Sequence, residues 1–430
     1  MSSIHEHLNQ LRIIDGHEHL ATPQIRKREN HDFFSLMHYL DSDMATAGMA
    51  RGILGRHSKL SDEEKARQFL TYWERTKNTT YARIFRTAME DLYDMRDWTV
   101  DGIMRVNDKV VAATHNPDWY REVLSEKAGI DLAFTLIQTT RLDYELFRPI
   151  MFMDFTFKLR KLQDIQDVER QSGTTVHTLQ QYLDAVDTLM HKYVNEGMVA
   201  TKLGHAYWRT LASGKPSFRD AELAFNRLMG CTLEAGISQE ESVPLQDYLI
   251  HFIIQRSIAY GLPIQIHTGH HEPSVSANGN IITNSNATSL LPLLAEYGEA
   301  RFVLLHGGFP YHDAYLSIVK NYPNVYADLT WVYIMSPSAG KRILHQMIEM
   351  VPMTKIQAFG GDYNHIEGTY AHLKLAKKIV ADVLREKTEA GELDEAEAIH
   401  YADRVFRDNL IELYELDIDK KPAAPGAGAR

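Results

Sequence analysis

Two histidines spaced two apart, His17 and His19, close the first apolar run of the chain, Leu11-Arg12-Ile13-Ile14-Asp15-Gly16. On a strand, side chains at i and i+2 share a face, so both imidazoles could meet one metal ion. Three later apolar runs also end in a ligand-type residue. Ile264-Gln265-Ile266 runs into His267, Phe302-Val303-Leu304-Leu305 into His306, and Ile356-Gln357-Ala358-Phe359-Gly360-Gly361 into Asp362. A His-x-His pair alone is weak evidence in a chain with 21 histidines. His5-Glu6-His7-Leu8 is nearly a copy of His17-Glu18-His19-Leu20, yet it has no strand before it and reads as the solvated start of a helix. The recurrence at 267, 306 and 362 is what separates the second copy from chance.

Each candidate has a plainer alternative. His267 is followed by Thr268-Gly269-His270-His271, which could be a polar loop; at its strand end it is expected to be a ligand, with His270 touching substrate or supporting the ligands. His306, followed by Gly307-Gly308, is expected either as a second-metal ligand or as a group polarising a substrate carbonyl. Asp362 can bind metal and take a proton from attacking water, but Asp is also a favoured helix cap. Lys202 ends an apolar strand, where an ammonium must find a partner or lose its charge. Three readings stay open for it: a carbamylated lysine bridging two metals, a cation for a substrate carboxylate, or a buried ion pair. Arg209, in Ala206-Tyr207-Trp208-Arg209, could clamp a carboxylate or lie at the surface, and Trp331 could line the pocket or simply pack.

Ligands at successive strand ends require a frame that brings those ends together. Strands near 11–16, 131–137, 197–202, 264–266, 302–305, 325–329 and 356–359 alternate with helix-length segments, the rhythm of a parallel (β/α)8 TIM barrel. The stretch from about 21 to 127 is too long for a βα loop and is expected to be a helical insertion after the first strand. Helices are expected within it over 31–40, 61–77 and 80–93, with one strand near 101–106. Long helices are expected over 155–196, 245–260, 370–387 and 394–413. The barrel is expected to run from 1 to 415, with a disordered tail over 416–430.

Composition narrows the function classes. A net charge of −11 leaves no electrostatic footprint for nucleic acid. The single cysteine, Cys231, excludes an intrachain disulfide and a Cys-rich zinc site. Neither a secretory signal nor an apolar run of membrane-spanning length is visible, so a cytoplasmic protein without membrane or nucleic-acid partners is expected. The expected partner is a small-molecule substrate, with homo-oligomerisation left open. There is no Gly-x-Ser-x-Gly elbow, P-loop, dinucleotide fingerprint or His-Glu-x-x-His.

The order of ligand-type residues resembles the amidohydrolase superfamily: His17 and His19 on the first strand, Lys202 on the fourth, His267 on the fifth, His306 on the sixth and Asp362 on the eighth. Val199 to Lys202, Ala206 to Arg209, Pro263 to Gly269, Leu304 to Tyr311, Asn324 to Trp331 and Gly360 to Gly368 are similar to the branch holding FluG-type N-terminal domains and uronate isomerase-like proteins. The resemblance spans about residues 10–415 and implies a divalent metal, zinc above manganese or iron, with one or two ions per chain. It implies hydrolysis by metal-activated water, with Asp362 moving the proton and His306 helping to stabilise the oxyanion. The expected target is an amide or related C–N bond, in a carboxylate-bearing substrate if Lys202 and Arg209 act as anchors. A uronate-type isomerase, a metal-dependent decarboxylase and a non-catalytic metal- or ligand-binding barrel are the alternatives. Uronate isomerases follow the last-strand Asp with Ser-Arg, whereas Tyr363-Asn364-His365 stands here.

Overall fold

A computed structural model describes residues 3–136, 142–272 and 280–418. Eight parallel strands lie in sequential order: β1 Ile13–Glu18, β2 Ile130–Leu136, β3 Phe147–Phe152, β4 Ala200–Leu203, β5 Ile264–Ile266, β6 Phe302–Leu304, β7 Val325–Asp328 and β8 Ile356–Gln357. The Gly16 amide donates to the Phe359 carbonyl (3.1 Å) and the Asp362 amide to the His17 carbonyl (3.0 Å), which brings β1 against the segment leaving β8. The result is the expected (β/α)8 barrel.

Ile14, Phe134, Ile150, Ala200, Val303 and Leu305 fill the barrel interior, and Leu410, Leu413 and Tyr414 of the closing helical segment pack into the same cluster. A second, larger apolar layer joins the strands to the surrounding helices. The helices start where side chains satisfy their free amide groups. Ser61 with Glu64, Thr178 with Gln181 and Asp394 with Glu397 form reciprocal capping boxes.

The segment between β1 and β2 is helical, as expected, with a core of its own. Phe33 meets Phe69 and Phe85 edge-on, both at 5.2 Å, and Trp73 stacks on Trp98 at 4.2 Å. A buried ion pair ties this segment to the helix after β8: Arg26 donates to both oxygens of Glu367, at 2.9 and 2.8 Å. Trp119 Nε1 (3.0 Å) and the Tyr93 hydroxyl (2.5 Å) donate to the same carboxylate.

Several expectations need correction. The strand expected near 101–106 is part of a helix, Val100–Thr114, capped by Thr99 and burying Ile103, Val106 and Val110 on one face. The expected helix over 31–40 is a short turn, Phe34–Leu36, and a helix beginning only at Tyr39. The helix expected from 245 begins at Gln239, because Ser238 and Glu241 cap it upstream of Pro244. β3 was not foreseen: Pro149 interrupts its apolar run, since proline lacks a ladder donor. Residues 419–430 of the expected disordered tail and Ile137 of the expected second strand lie outside the described residues. Among the described residues, no helix is long and apolar enough to cross a membrane.

Candidate metal centre and its cavity

The end of β1 presents both histidines to one carboxylate. Nε2 of His17 lies 3.4 Å, and Nε2 of His19 3.2 Å, from Oδ1 of Asp362. Their candidate ligand atoms all lie within 4.8 Å of one another, close enough to share one ion. His17 is fully buried, while the His19 side chain is 43 % exposed at the mouth. Asp362 follows two glycines, and a Cβ on Gly361 would stand 1.9 Å from Oε1 of Glu18, so only glycine lets the chain pass so close to that buried carboxylate. The Tyr39 hydroxyl donates to the Asp362 carbonyl. Asp362 is not the cap of the following helix; His365 takes that role, accepting from the Gly368 amide at 3.1 Å.

The orientation of each imidazole can be traced through its other nitrogen. Gln265 donates through Nε2 to the Gly16 carbonyl and to the Tyr414 hydroxyl, both at 2.9 Å, which leaves its Oε1 to accept from His17 Nδ1 at 2.7 Å. His17 therefore turns a lone pair, at Nε2, toward Asp362. His306 donates from Nδ1 to the Thr330 carbonyl (3.1 Å), and its Nε2 stands 2.9 Å from Nδ1 of His267. The other nitrogen of His267 lies 3.0 Å from the His270 carbonyl. With both outer nitrogens donating to carbonyls, two lone pairs face each other. Two ligands on one metal at about 2.1 Å stand at a separation of this order. With Thr330 holding its proton, His306 can accept but cannot donate to a developing oxyanion. In this tautomer His306 offers a lone pair and not a donor, so the expected carbonyl-polarising role would need the other one.

The electrostatics favour the ligand forms. Burial, reinforced by Lys202, holds His17 well below the usual imidazole range. Burial and neighbouring His306 and Lys202 do the same to His267, and burial brings His306 down to about 3. All three rings are neutral, the state that binds metal. Burial alone would raise Asp362, but the hydrogen bond from His19 holds it well below the usual carboxylate range. Lys202 Nζ lies 3.4 Å from His17 Nε2, and burial lowers its pKa to about 8 against the pull of Asp362, Asp154 and Asp328.

The other expected substrate contacts divide. Lys202 lines a cavity of about 560 Å³ together with His19, His267 and Asp362. Arg209 does not line it. Its guanidinium is buried against Asp247 (2.6 Å), Gln246 (3.1 Å) and the Ala212 carbonyl (2.8 Å), so the expected carboxylate clamp is a structural ion pair. Trp331 is also outside the lining; it is buried between Tyr39 (5.1 Å) and His306 (5.5 Å) and supports the site from behind. His270 leans on Trp331 at 5.5 Å and pairs with Glu272 at 3.2 Å, beside a neighbouring cavity.

Sequence reasoning missed Gln265, the pair His38-Tyr39, Asp154 and Tyr207-Trp208. Gln265 stands two residues before His267 on the same strand, a spacing that could have revealed it. His38 adopts a left-handed backbone, φ 43°, at the start of the helix carrying Tyr39, which no periodicity would betray.

A parallel eight-stranded barrel with imidazole and carboxylate ligands at its strand ends defines a metal-site barrel of the amidohydrolase type. The chain belongs to the amidohydrolase family: the family model Amidohydro_2, described as amidohydrolase, matches residues 156–416. This family generally binds divalent metals, and the His17, His19 and Asp362 cluster fits that role. Protein fluG of Emericella nidulans is 29% identical over 220 residues, covering 49% of this chain and 25% of that protein. The chain thus matches about a quarter of that relative's length. Glucuronate isomerase from Caulobacter crescentus shares the fold with a TM-score of 0.79 at 17% identity, over 99% of this chain and 95% of that one. Uronate isomerase from Thermotoga maritima does so with a TM-score of 0.78 at 14% identity, over 96% of each chain.

Proposed function

We propose that the chain is a metal-dependent hydrolase of a small, negatively charged molecule, cleaving an amide or related C–N bond. The observation that carries this reading is Asp362: an ionised, buried carboxylate against two imidazole Nε2 atoms in a cavity that also holds Lys202. His17, His19, His267 and Asp362 would hold the ion, with His306 beside them; the donor set suits zinc best and also admits manganese or iron. When bound, such an ion polarises a carbonyl and lowers the pKa of water toward about 7. Asp362 takes the proton of the attacking water and returns it to the leaving nitrogen. Lys202 places a positive charge beside the reacting group, where negative charge develops on the carbonyl oxygen. Gln265, Thr330 and the His270 carbonyl hold the imidazoles in register throughout.

The whole-chain likeness to uronate isomerases supports a second reading, in which Asp362 carries a proton between adjacent carbons of a hydroxy acid. Mass spectrometry of product formed in ¹⁸O-labelled water separates the two. Hydrolysis adds one water, labelled, to the sum of the products; isomerisation leaves substrate mass unchanged. Turnover of uronates with no cleavage across amide, lactone and imide panels would overturn the hydrolase reading.

A further inference from the structure

The cavity has two unlike walls. One carries the imidazole and carboxylate cluster. The other is built from the ends of three successive strands, β2 to β4, and is apolar: Leu136, Phe152, Phe155 and Trp208. Two polar residues, Asp154 and Tyr207, stand beside these side chains. Asp154 accepts from the Gly204 amide (2.7 Å) through one oxygen and from Trp208 Nε1 (2.9 Å) through the other. The indole of Trp208 thus has no donor left for a ligand and offers only its face. Gly204 is needed for this arrangement, because a Cβ there would stand 2.5 Å from the Phe152 ring.

One cation completes this wall. Lys158 is exposed, lines the cavity and holds its ammonium 5.3 Å from the centre of the Trp208 ring. Among the described residues its ammonium makes no hydrogen bond or ion pair, though its charge reaches Asp154 and helps to lower that carboxyl's pKa. Lys158 also borders a second groove, where Arg160 and Lys161 outnumber the one carboxylate, Asp164, on a chain of net charge −11. Lys202, by contrast, is buried against His17.

We infer that the substrate is an acid with a planar, apolar body rather than a sugar acid, and that Lys158 binds its carboxylate while Trp208, Phe155 and Phe152 hold the body. This rests on the reading that the cavity is the reaction site. A polyhydroxylated chain would lose water from its hydroxyls against rings that cannot replace those hydrogen bonds. An aromatic acid meets apolar faces along its body and a free ammonium at its end. Arg209, committed to Asp247, cannot serve that end.

Isothermal titration of the metal-loaded full chain with phenylacetate, indole-3-acetate, 2-phenylethanol and D-glucuronate tests the inference. The aryl acetates are expected to bind about tenfold or more tighter than the neutral alcohol and than glucuronate. Lys158→Met should bring the acetates down to the level of the alcohol, with alcohol binding and thermal midpoint unchanged, and Lys158→Arg should restore the preference. Glucuronate binding as tightly as the aryl acids would overturn the inference, as would absence of aryl acid binding. So would a preference for carboxylate that persists in Lys158→Met, since the metal side would then hold it. A chain that binds aryl acids but cleaves none of their amides sinks the hydrolase reading alone. One that cleaves amides without this preference sinks the present inference alone.

Discussion

Gln265 accepts a hydrogen bond from Nδ1 of His17 at 2.7 Å, and so determines which nitrogen of that ring faces Asp362. Replacing it by leucine removes the acceptor while keeping the volume. Metal affinity of Gln265→Leu is expected to fall about 10- to 100-fold, as for other lost partners of ligating histidines. Competition with a chromophoric chelator measures it. Unchanged affinity would mean that the ring is fixed by packing alone.

In the proposed reaction Asp362 has two duties, ligand and proton carrier, and they can be parted. Asp362→Asn keeps the shape and one oxygen but cannot accept the proton, so kcat is expected to drop by about 10²–10⁴. Plasma emission analysis should still find metal if His17, His19 and His267 suffice to hold it. Near-normal turnover in Asp362→Asn would remove Asp362 from the proton path.

Lys202 decides the metal count. A free ammonium 3.4 Å from His17 Nε2 repels a second cation, whereas a carbamylated lysine would bridge two. The expected result is one tightly held ion per chain and an unmodified Lys202 peptide when mass is read at neutral pH. Two ions with a carbamate mass would instead make the centre binuclear, and Lys202→Met would then lose metal.

The Arg26–Glu367 pair gives a stability prediction with a definite sign. Burial would raise the Glu367 carboxyl, but the charge and hydrogen bonds of Arg26 hold it well below the ordinary range. Its contribution is therefore complete above the unfolded value, near 4.5, and is lost as pH falls below that toward the folded value. Glu367→Gln leaves Arg26 buried without a counter-charge and should cost about 3–5 kcal/mol at neutral pH. Urea titrations at pH 7 and pH 3.5 check this: the gap between wild type and Glu367→Gln should narrow at the lower pH. A constant gap would assign the effect to packing.

Arg209→Met should lower the thermal midpoint through the unpaired Asp247 and leave KM for an anionic substrate within about twofold. Scanning calorimetry beside steady-state kinetics checks it. A large rise in KM with an unchanged midpoint would return Arg209 to the substrate.

The residues legible in the sequence were those whose ligand chemistry coincided with a strand end. His17, His19, His267, His306 and Asp362 announced themselves because an apolar run stopped at each. The alternation of strand and helix was equally visible where runs were clean, and failed at β3, where Pro149 breaks the pattern, and at 101–106, where Ile103, Met104 and Val106 suit either period. Arg209 and Trp331 follow strand ends in the sequence, as a site residue would, but that position does not decide what they touch. Their roles depend on Asp247 and Tyr39, brought near only by folding. Lys158 and Trp208 form a surface across two loops, a relationship with no local spacing to betray it.

The Tyr414 hydroxyl that receives the Gln265 amide sits on the segment that closes the barrel floor. His17 leaves the ribosome about 400 residues before Tyr414, an interval on the order of 20–80 s at ordinary rates of synthesis. Until that interval ends, Gln265, which orients His17, lacks one of its two acceptors. A centre built on His17 would therefore gain its last support late, and nascent chains shortened before that turn are expected to carry the ligand-type residues with Gln265 held by the Gly16 carbonyl alone.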